Sequence, residues 1–443
     1  MERAVYAELL KWKNDADRQP LLLEGVRQCG KTYILKKFGE AEYDDVAYFT
    51  FERKPKVIEI FKADLDPHRI IDELSAMRKK KIEPGKTLII LDEIQLCGAA
   101  LTSLKFFREE TPEYHIACAG SLLGVMLAKP HSHPVGKADH IKMYPMSFKE
   151  FLIANSEEIL VEYVSNNYPA KSISSPLTDK LISQLDQYFL TGGMPAAVSS
   201  WIRHRDPEKV DAILDGIITD YEKDFSKYAS EHLAKLTLIW ESIPMQLAKE
   251  NKKFMFGHAK TGARSKDLED ALQWLVNAGL VYKVKKADPP AMPLAMFADN
   301  MSFKVYPADV GVLRRMANIP SDFMFSRDKE SGAYRGAAAE NYVLTELISY
   351  TGSIPYYWRS AGEAEIDFVT QVGQAVVPIE VKAGSHKAKS LAEFIKRHGP
   401  NVSVITSPRE NKGDAVVHIP LYFMWKFRDV IIGKMEKQQT SGK

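Results

Sequence analysis

The chain has 443 residues, with 60 lysines and arginines against 58 aspartates and glutamates, a net charge of only +2. Apolar residues at 45% and charged ones at 27% suit a soluble globular protein of roughly two to four domains. This balance excludes a global field that would draw in nucleic acid, so any such partner must meet a local patch. No apolar run approaches membrane-spanning length, and the residues 1–6 lack an apolar signal core, which predicts no membrane association. Cys29, Cys97 and Cys118 are few, odd in number and without metal-ligand spacing, so they point to a reducing cytoplasm.

Residues 4–12 have the pattern of a short amphipathic helix. The apolar run Leu21-Leu22-Leu23 then leads into Glu24-Gly25-Val26-Arg27-Gln28-Cys29-Gly30-Lys31-Thr32, followed by helical periodicity over 33–38. Strand, glycine-bounded loop and helix, in that order, are the context that gives a G-x-x-x-x-G-K-[ST] match its meaning. Gly25 and Gly30 permit dihedrals and approaches that a Cβ would block. The N–H groups of residues 25–32 can then face the phosphates of a nucleotide at the start of the helix. Lys31 is placed to reach the β and γ phosphates of ATP, and the Thr32 hydroxyl to ligate Mg²⁺. Because Cys29 lies within the loop, its alkylation is expected to block nucleotide.

A strand at 46–51 and a helix at 70–77 follow. The basic run 78–81 reads as a solvated helix end, where cations suit the dipole, with nucleic-acid contact as the alternative. Thr87-Leu88-Ile89-Ile90-Leu91 is a continuous apolar run, the signature of a buried parallel strand, closed by Asp92 and Glu93. Asp92 is placed to hold Mg²⁺ through water, and Glu93 to orient and deprotonate the attacking water. After a helix at 101–109, the strand 115–119 ends in Gly120-Ser121. Ser121 either touches the γ-phosphate or caps the next helix, and both roles stay open. Residues 129–137, with His131 and His133, form a proline-rich loop whose histidine spacing is weak evidence for metal. Ser147-Phe148-Lys149-Glu150 has capping-box spacing.

Gly25 to Thr32, Leu91-Asp92-Glu93-Ile94-Gln95, Ala119-Gly120-Ser121 and Tyr144-Pro145-Met146-Ser147-Phe148-Lys149-Glu150-Phe151 resemble the successive motifs of one family of prokaryotic AAA-type ATPases. In that family an N-terminal ATPase is joined to a C-terminal domain of unknown function with a core like that of PD-(D/E)xK restriction nucleases. Gly192-Gly193-Met194-Pro195 continues the resemblance, which runs from residue 4 to about 405. The chain departs from the family at Gly136-Lys137, where Gly-Arg is frequent; lysine lacks arginine's planar fork.

Residues 1–155 are accordingly expected to be the ATPase module and 156–232 a helical lid, with helices at 159–168, 177–189 and 210–225. Residues 233–320 show the outline of a winged helix: a helix at 233–249, a second from Ser265 to a stop at Gly279, then an amphipathic strand. That fold often reads DNA, but Asp267, Glu269 and Asp270 on the second helix repel phosphates, with Lys283, Lys285 and Lys286 as the basic counterweight. Docking a protein partner is an equal alternative.

Residues 321–435 hold a second candidate site. Glu340 lies in a helix; Glu365-Ile366-Asp367 and Val377-Pro378-Ile379-Glu380-Val381-Lys382 read as two strands joined near Gly373. In a strand Glu380 and Lys382 share a face, and Asp367 is expected diagonally across from Glu380. Asp367 and Glu380 could then hold Mg²⁺, with Glu340 alongside and Lys382 stabilising developing charge. Pro378 implies an edge strand or bulge. Residues 436–443 read as a disordered tail.

The fold class expected is α/β: a P-loop parallel sheet, a helical and winged-helix middle, and a nuclease-like α/β domain. The function expected is ATP hydrolysis gating a C-terminal domain that binds or cleaves DNA; the alternative is an ATP-switched module that binds DNA or protein without cleavage. A homo-oligomer would supply an arginine finger in trans, and Arg108, Arg203 and Arg205 are unranked candidates for one.

Overall fold

The computed structural model describes residues 1–52, 54–120, 124–125, 136–228, 232–325, 332–383, 388–408 and 416–441. The chain divides into two compact units, Met1–Pro145 with Gln273–Leu280, and Met146–Leu272 with Val281–Lys443.

The first unit is built on five parallel strands: β1 (Leu21–Glu24), β2 (Asp45–Thr50), β3 (Thr87–Asp92), β4 (His115–Ala119) and β5 (Asp139–Lys142). Their order is β2-β3-β4-β1-β5. All six residues of β3 and all five of β4 are buried, as strands covered on both faces require. Phe49, Phe61, Ile70, Ile89, Leu101 and Ile116 belong to the core on one side of this sheet. Each such side chain contributes about 1.5–3 kcal/mol by leaving water. β4 separates β1 from β3, with Leu23 and Asp92 each paired to Ala119. The loop after β1 and the acids ending β3 therefore emerge at the same, carboxyl edge of the sheet, where α/β folds bind ligands.

In the second unit the expected capping box forms: the Ser147 hydroxyl accepts from the Glu150 N–H at 3.3 Å, and the Glu150 carboxylate accepts from the Ser147 N–H at 2.9 Å. It opens the helix Phe148–Ala154. Helices Ser175–Thr191, Pro195–His204, Pro207–Tyr228 and Leu233–Leu247 follow. Gly193 passes so close to the chain that a Cβ there would stand 2.1 Å from the Met146 carbonyl oxygen.

A seven-stranded sheet completes this unit: β6 (Val281–Ala287), β7 (Ala298–Pro307), β8 (Tyr356–Arg359), β9 (Glu365–Val372), β10 (Ala375–Val381), β11 (Val404–Ser407) and β12 (Val417–Pro420), ordered β12-β11-β10-β9-β8-β6-β7. The helices Leu233–Leu247 and Ser265–Asn277 do lead into the hairpin β6/β7, the outline of a wing. That hairpin joins β8 through Lys286 and Tyr357, so a boundary at 320/321 runs through one continuous sheet. The last turn of the helix Ser265–Asn277 belongs to the first unit, where the Cβ position of Gly279 lies 3.6 Å from the Val26 nitrogen.

Three local expectations need correction. The β9/β10 register sets Phe368 against Ile379, so its continuation places Asp367 directly opposite Glu380 rather than on the diagonal. Pro378 lies in an interior strand, paired with Val369 and without a bulge between β9 and β10. It is tolerated because pairing with β11 begins only at Ile379, past the nitrogen that cannot donate. Finally, residues 436–441 continue the helix Phe427–Ser441 instead of leaving the fold, while 442 and 443 lie outside the described residues.

Candidate functional site

The loop between β1 and α2 (Lys31–Glu42) needs its glycines for different reasons. Gly25 has φ of 152°, and a Cβ on it would meet the Met143 carbonyl oxygen at 2.1 Å. Gly30, with φ of 99°, is the left-handed cap from which α2 starts. Gln28 also takes a positive φ of 66°, unusual for a residue with a side chain. Arg3 braces the loop from outside the motif, donating to the Cys29 carbonyl at 2.9 Å and to the Tyr144 carbonyl at 2.6 Å.

Lys31 is buried, and its ammonium donates to the carbonyls of Gly25 at 2.7 Å and Val26 at 3.0 Å. The Thr32 hydroxyl lies 3.0 Å from both carboxylate oxygens of Asp92, and the Tyr48 hydroxyl donates to Asp92 at 2.7 Å. Burial pushes the Asp92 carboxyl above its ordinary range, opposed by these two hydroxyls. Tyr48 is the site residue that sequence reasoning missed. Its only signal was the β2 alternation that turns it from the core while Ala47 and Phe49 are buried.

Glu93 sits at φ 54°, ψ 41°, a left-handed conformation that costs about 1–3 kcal/mol and recurs at functional sites. Its carboxylate accepts from the Gln95 side-chain amide. The hard oxygens of Thr32 and Asp92 fit Mg²⁺ chemistry, which favours carboxylate and hydroxyl ligands with retained water.

Two further residues singled out in the sequence lie in this region. Cys29 is fully buried with its Sγ 3.7 Å from the Met143 carbonyl oxygen, so an alkylating reagent cannot reach it without opening the loop. Lys137 pairs with Glu109 at 3.3 Å on the surface. Ser121, His131 and His133 lie outside the described residues. Of the arginines weighed as fingers, Arg203 bonds Ser199 within its own helix, while Arg205 bonds Asn155 and Gln187.

The second unit does bring Glu340, Asp367, Glu380 and Lys382 together. Lys382 pairs with Glu380 at 2.6 Å, and Asp367 accepts from the Val381 N–H at 2.7 Å. Glu340 is held by Lys252 and by the Tyr306 hydroxyl at 2.8 Å. Lys304, fully buried, lies 2.5 Å from Glu365, which also faces Arg359 at 3.6 Å. Burial together with Glu340 and Glu380 pushes Asp367 well above the usual carboxylate range. Sequence reasoning missed Lys252, Lys304, Tyr306 and Glu365 as members. Lys252, Lys304 and Tyr306 come from elements assigned to a different domain, and the strand alternation that places Glu365 beside Asp367 carried no chemistry of its own. Among the described residues, no group of three or more His, Cys, Asp or Glu is disposed to hold a metal ion.

Residues 17–152 match the AAA domain family AAA_14. Residues 182–322 and 335–422 match two domains of unknown function, DUF8612 and DUF4143. An uncharacterized protein of Haemophilus influenzae is 22% identical over 388 residues, covering 84% of this chain and 85% of that protein. Among solved structures, the Walker-type ATPase PABY2304 of Pyrococcus abyssi aligns with a TM-score of 0.45 at 12% identity, over 70% of this chain and 94% of that one. The Aeropyrum pernix ORC1 protein in complex with DNA aligns with a TM-score of 0.29 at 14% identity, over 74% and 95%. No helix among the described residues is long and apolar enough to cross a membrane. The sheet order and the family match agree: residues 17–152 form a P-loop domain of the AAA type.

Proposed function

We propose that the chain binds and hydrolyses ATP at Gly25–Thr32 with Asp92 and Glu93, and that nucleotide state governs a DNA-binding second unit. The observation that carries the reading is the meeting of Thr32 with Asp92 across the sheet edge, with Lys31 inside the loop. Phosphate oxygens accept from the loop N–H groups and compete with the Gly25 and Val26 carbonyls for Lys31. Thr32 and Asp92 would hold Mg²⁺, which would supply positive charge to offset that of the phosphates. Glu93 orients a water and takes its proton, held ready by its strained backbone and by Gln95. Ser121 is assigned to the γ-phosphate on its position after β4.

The gating part is supported by Gly279, which ends the helix Ser265–Asn277 against Val26 of the phosphate loop. DNA binding by the second unit is supported by charge placement. The most exposed side chains of its cluster are Arg359 at 32% and Lys382 at 22%, Glu365 and Lys252 are about half as exposed, and Glu340 and Glu380 are buried. Cations as the two most exposed groups suit a phosphate backbone. Asp267, Glu269 and Asp270 are exposed, and that helix face suits a protein partner or a second copy instead.

Glu93→Gln tests the first part. ATPase turnover should fall by about 10²–10⁴-fold while nucleotide still binds. Turnover that survives removes Glu93 from this role. Lys31→Ala should lose nucleotide affinity itself.

A further inference from the structure

The D…E-x-K pattern of the second unit implies a divalent cation between Asp367 and Glu380. The side chains around it do not fit one. Four carboxylates gather here, Glu340, Glu365, Asp367 and Glu380, and each of the first two and the last is already paired to a cation of the protein. Both oxygens of Glu340 are engaged, one by Lys252 and one by the Tyr306 hydroxyl. One oxygen of Asp367 accepts from the Val381 N–H. Glu380 gives one oxygen to Lys382, which leaves its Oε2 and the second oxygen of Asp367 without a hydrogen-bond partner. Mg²⁺ requires near-octahedral oxygens at short range, and two open carboxylate oxygens, Asp367 Oδ1 and Glu380 Oε2, do not supply them by themselves.

Beside these carboxylates lies Lys304. Its side chain is 0% exposed, its ammonium lies 2.5 Å from Glu365, and it sits over the Tyr357 ring at 4.9 Å from the centroid. It acts electrostatically on Glu340, Glu365 and Asp367, and on Glu380 as well. With Lys252, Lys382 and Arg359 it matches four acids with four bases, so no net negative charge is left for a dication. Burial alone would drive a lysine to its neutral form, and these carboxylates hold it charged. A dication entering here would meet a fixed ammonium in a low-dielectric interior, where repulsion is strong.

We infer that Lys304 is the built-in counter-ion of this cluster, so that the second unit takes no divalent cation at Asp367 and Glu380 and does not cleave DNA. This rests on the placement of side chains in the second unit alone. It deepens the DNA-binding reading without depending on ATP hydrolysis, which is measured separately on the same samples.

The test is Mn²⁺ binding to the full chain without nucleotide, followed by electron paramagnetic resonance, in wild type and Asp367→Asn. Equal Mn²⁺ uptake by the two is expected. A Mn²⁺ ion bound by wild type and lost in Asp367→Asn overturns the inference. Lys304→Met removes the charge at similar volume and should bind Mn²⁺ at least about tenfold more tightly, a gain abolished by adding Asp367→Asn. A folded Lys304→Met chain that gains no Mn²⁺ also overturns it; if that variant does not fold, the wild-type and Asp367→Asn comparison decides. Supercoiled plasmid with Mg²⁺ or Mn²⁺ should stay intact, and nicking that disappears in Lys382→Ala would overturn the inference independently.

Discussion

The Thr32 hydroxyl lies 3.0 Å from each carboxylate oxygen of Asp92, joining two residues 60 positions apart in the chain. Thr32 begins a helix after β1 and Asp92 ends β3, and neither strand pairs with the other. The contact exists because β4 sets the spacing between them, and on the function proposed above it is where a nucleotide's metal would be held.

Tyr48 tunes that contact. Tyr48→Phe deletes a 2.7 Å hydrogen bond to Asp92, a loss of about 0.5–1.5 kcal/mol in the native state. The Mg²⁺ concentration for half-maximal ATPase activity should change, with little effect on turnover at saturating metal. Asp92→Ala, by contrast, should abolish activity at every Mg²⁺ concentration tested. Titrating Mg²⁺ against initial rate in the three proteins checks both.

Gly25→Ala should both destabilise the first unit and abolish nucleotide binding. Its Cβ would stand 2.1 Å from a backbone oxygen, at a φ that side chains rarely adopt, and a cost of about 3 kcal/mol or more is expected. Gly216→Ala, in the helix Pro207–Tyr228 with open space around it, is the contrasting case. It should raise stability by about 0.5–1 kcal/mol. Denaturant melts of the two variants should therefore move in opposite directions.

Cys29, Cys97 and Cys118 are all buried, at 2% exposure or less. A thiol reagent such as a disulfide dye should react slowly with the native chain and with all three thiols after denaturation. Rapid loss of nucleotide binding on treating native protein would contradict the observed burial of Cys29.

Glu346 should make the second unit sensitive to alkali. Burial lifts its carboxyl to about 8, helped by Glu150 and opposed by the Phe148 N–H that donates to it at 2.8 Å. The folded state therefore keeps a proton that the unfolded chain releases at about 4.3. This stabilising contribution is fully present below the unfolded value and is lost as pH rises through about 8. Melting temperature should fall between pH 6 and 9, and Glu346→Gln should flatten that dependence. An unchanged slope in Glu346→Gln would remove this residue as the cause.

The phosphate loop, the acids after β3 and the capping box at Ser147 were legible in the amino-acid order because each is a local device. Glycine dihedrals, an apolar run with a carboxylate at its end, and a serine three residues before a glutamate carry their geometry within a few residues. The character of the second site was not legible in this way. Asp367, Glu380 and Lys382 are close in sequence and suggested a metal centre, whereas Lys252 and Lys304 arrive from segments 50 residues or more away on their own helix and strand connections. Only the continuity of β6 and β7 with β8 carries Lys304 into that cluster. Pro378 in an interior strand and Cys29 in a sealed loop have the same origin. A residue's conformation is written by its neighbours in the chain, but its charge partners and its access to water are set by whichever distant elements fold against it.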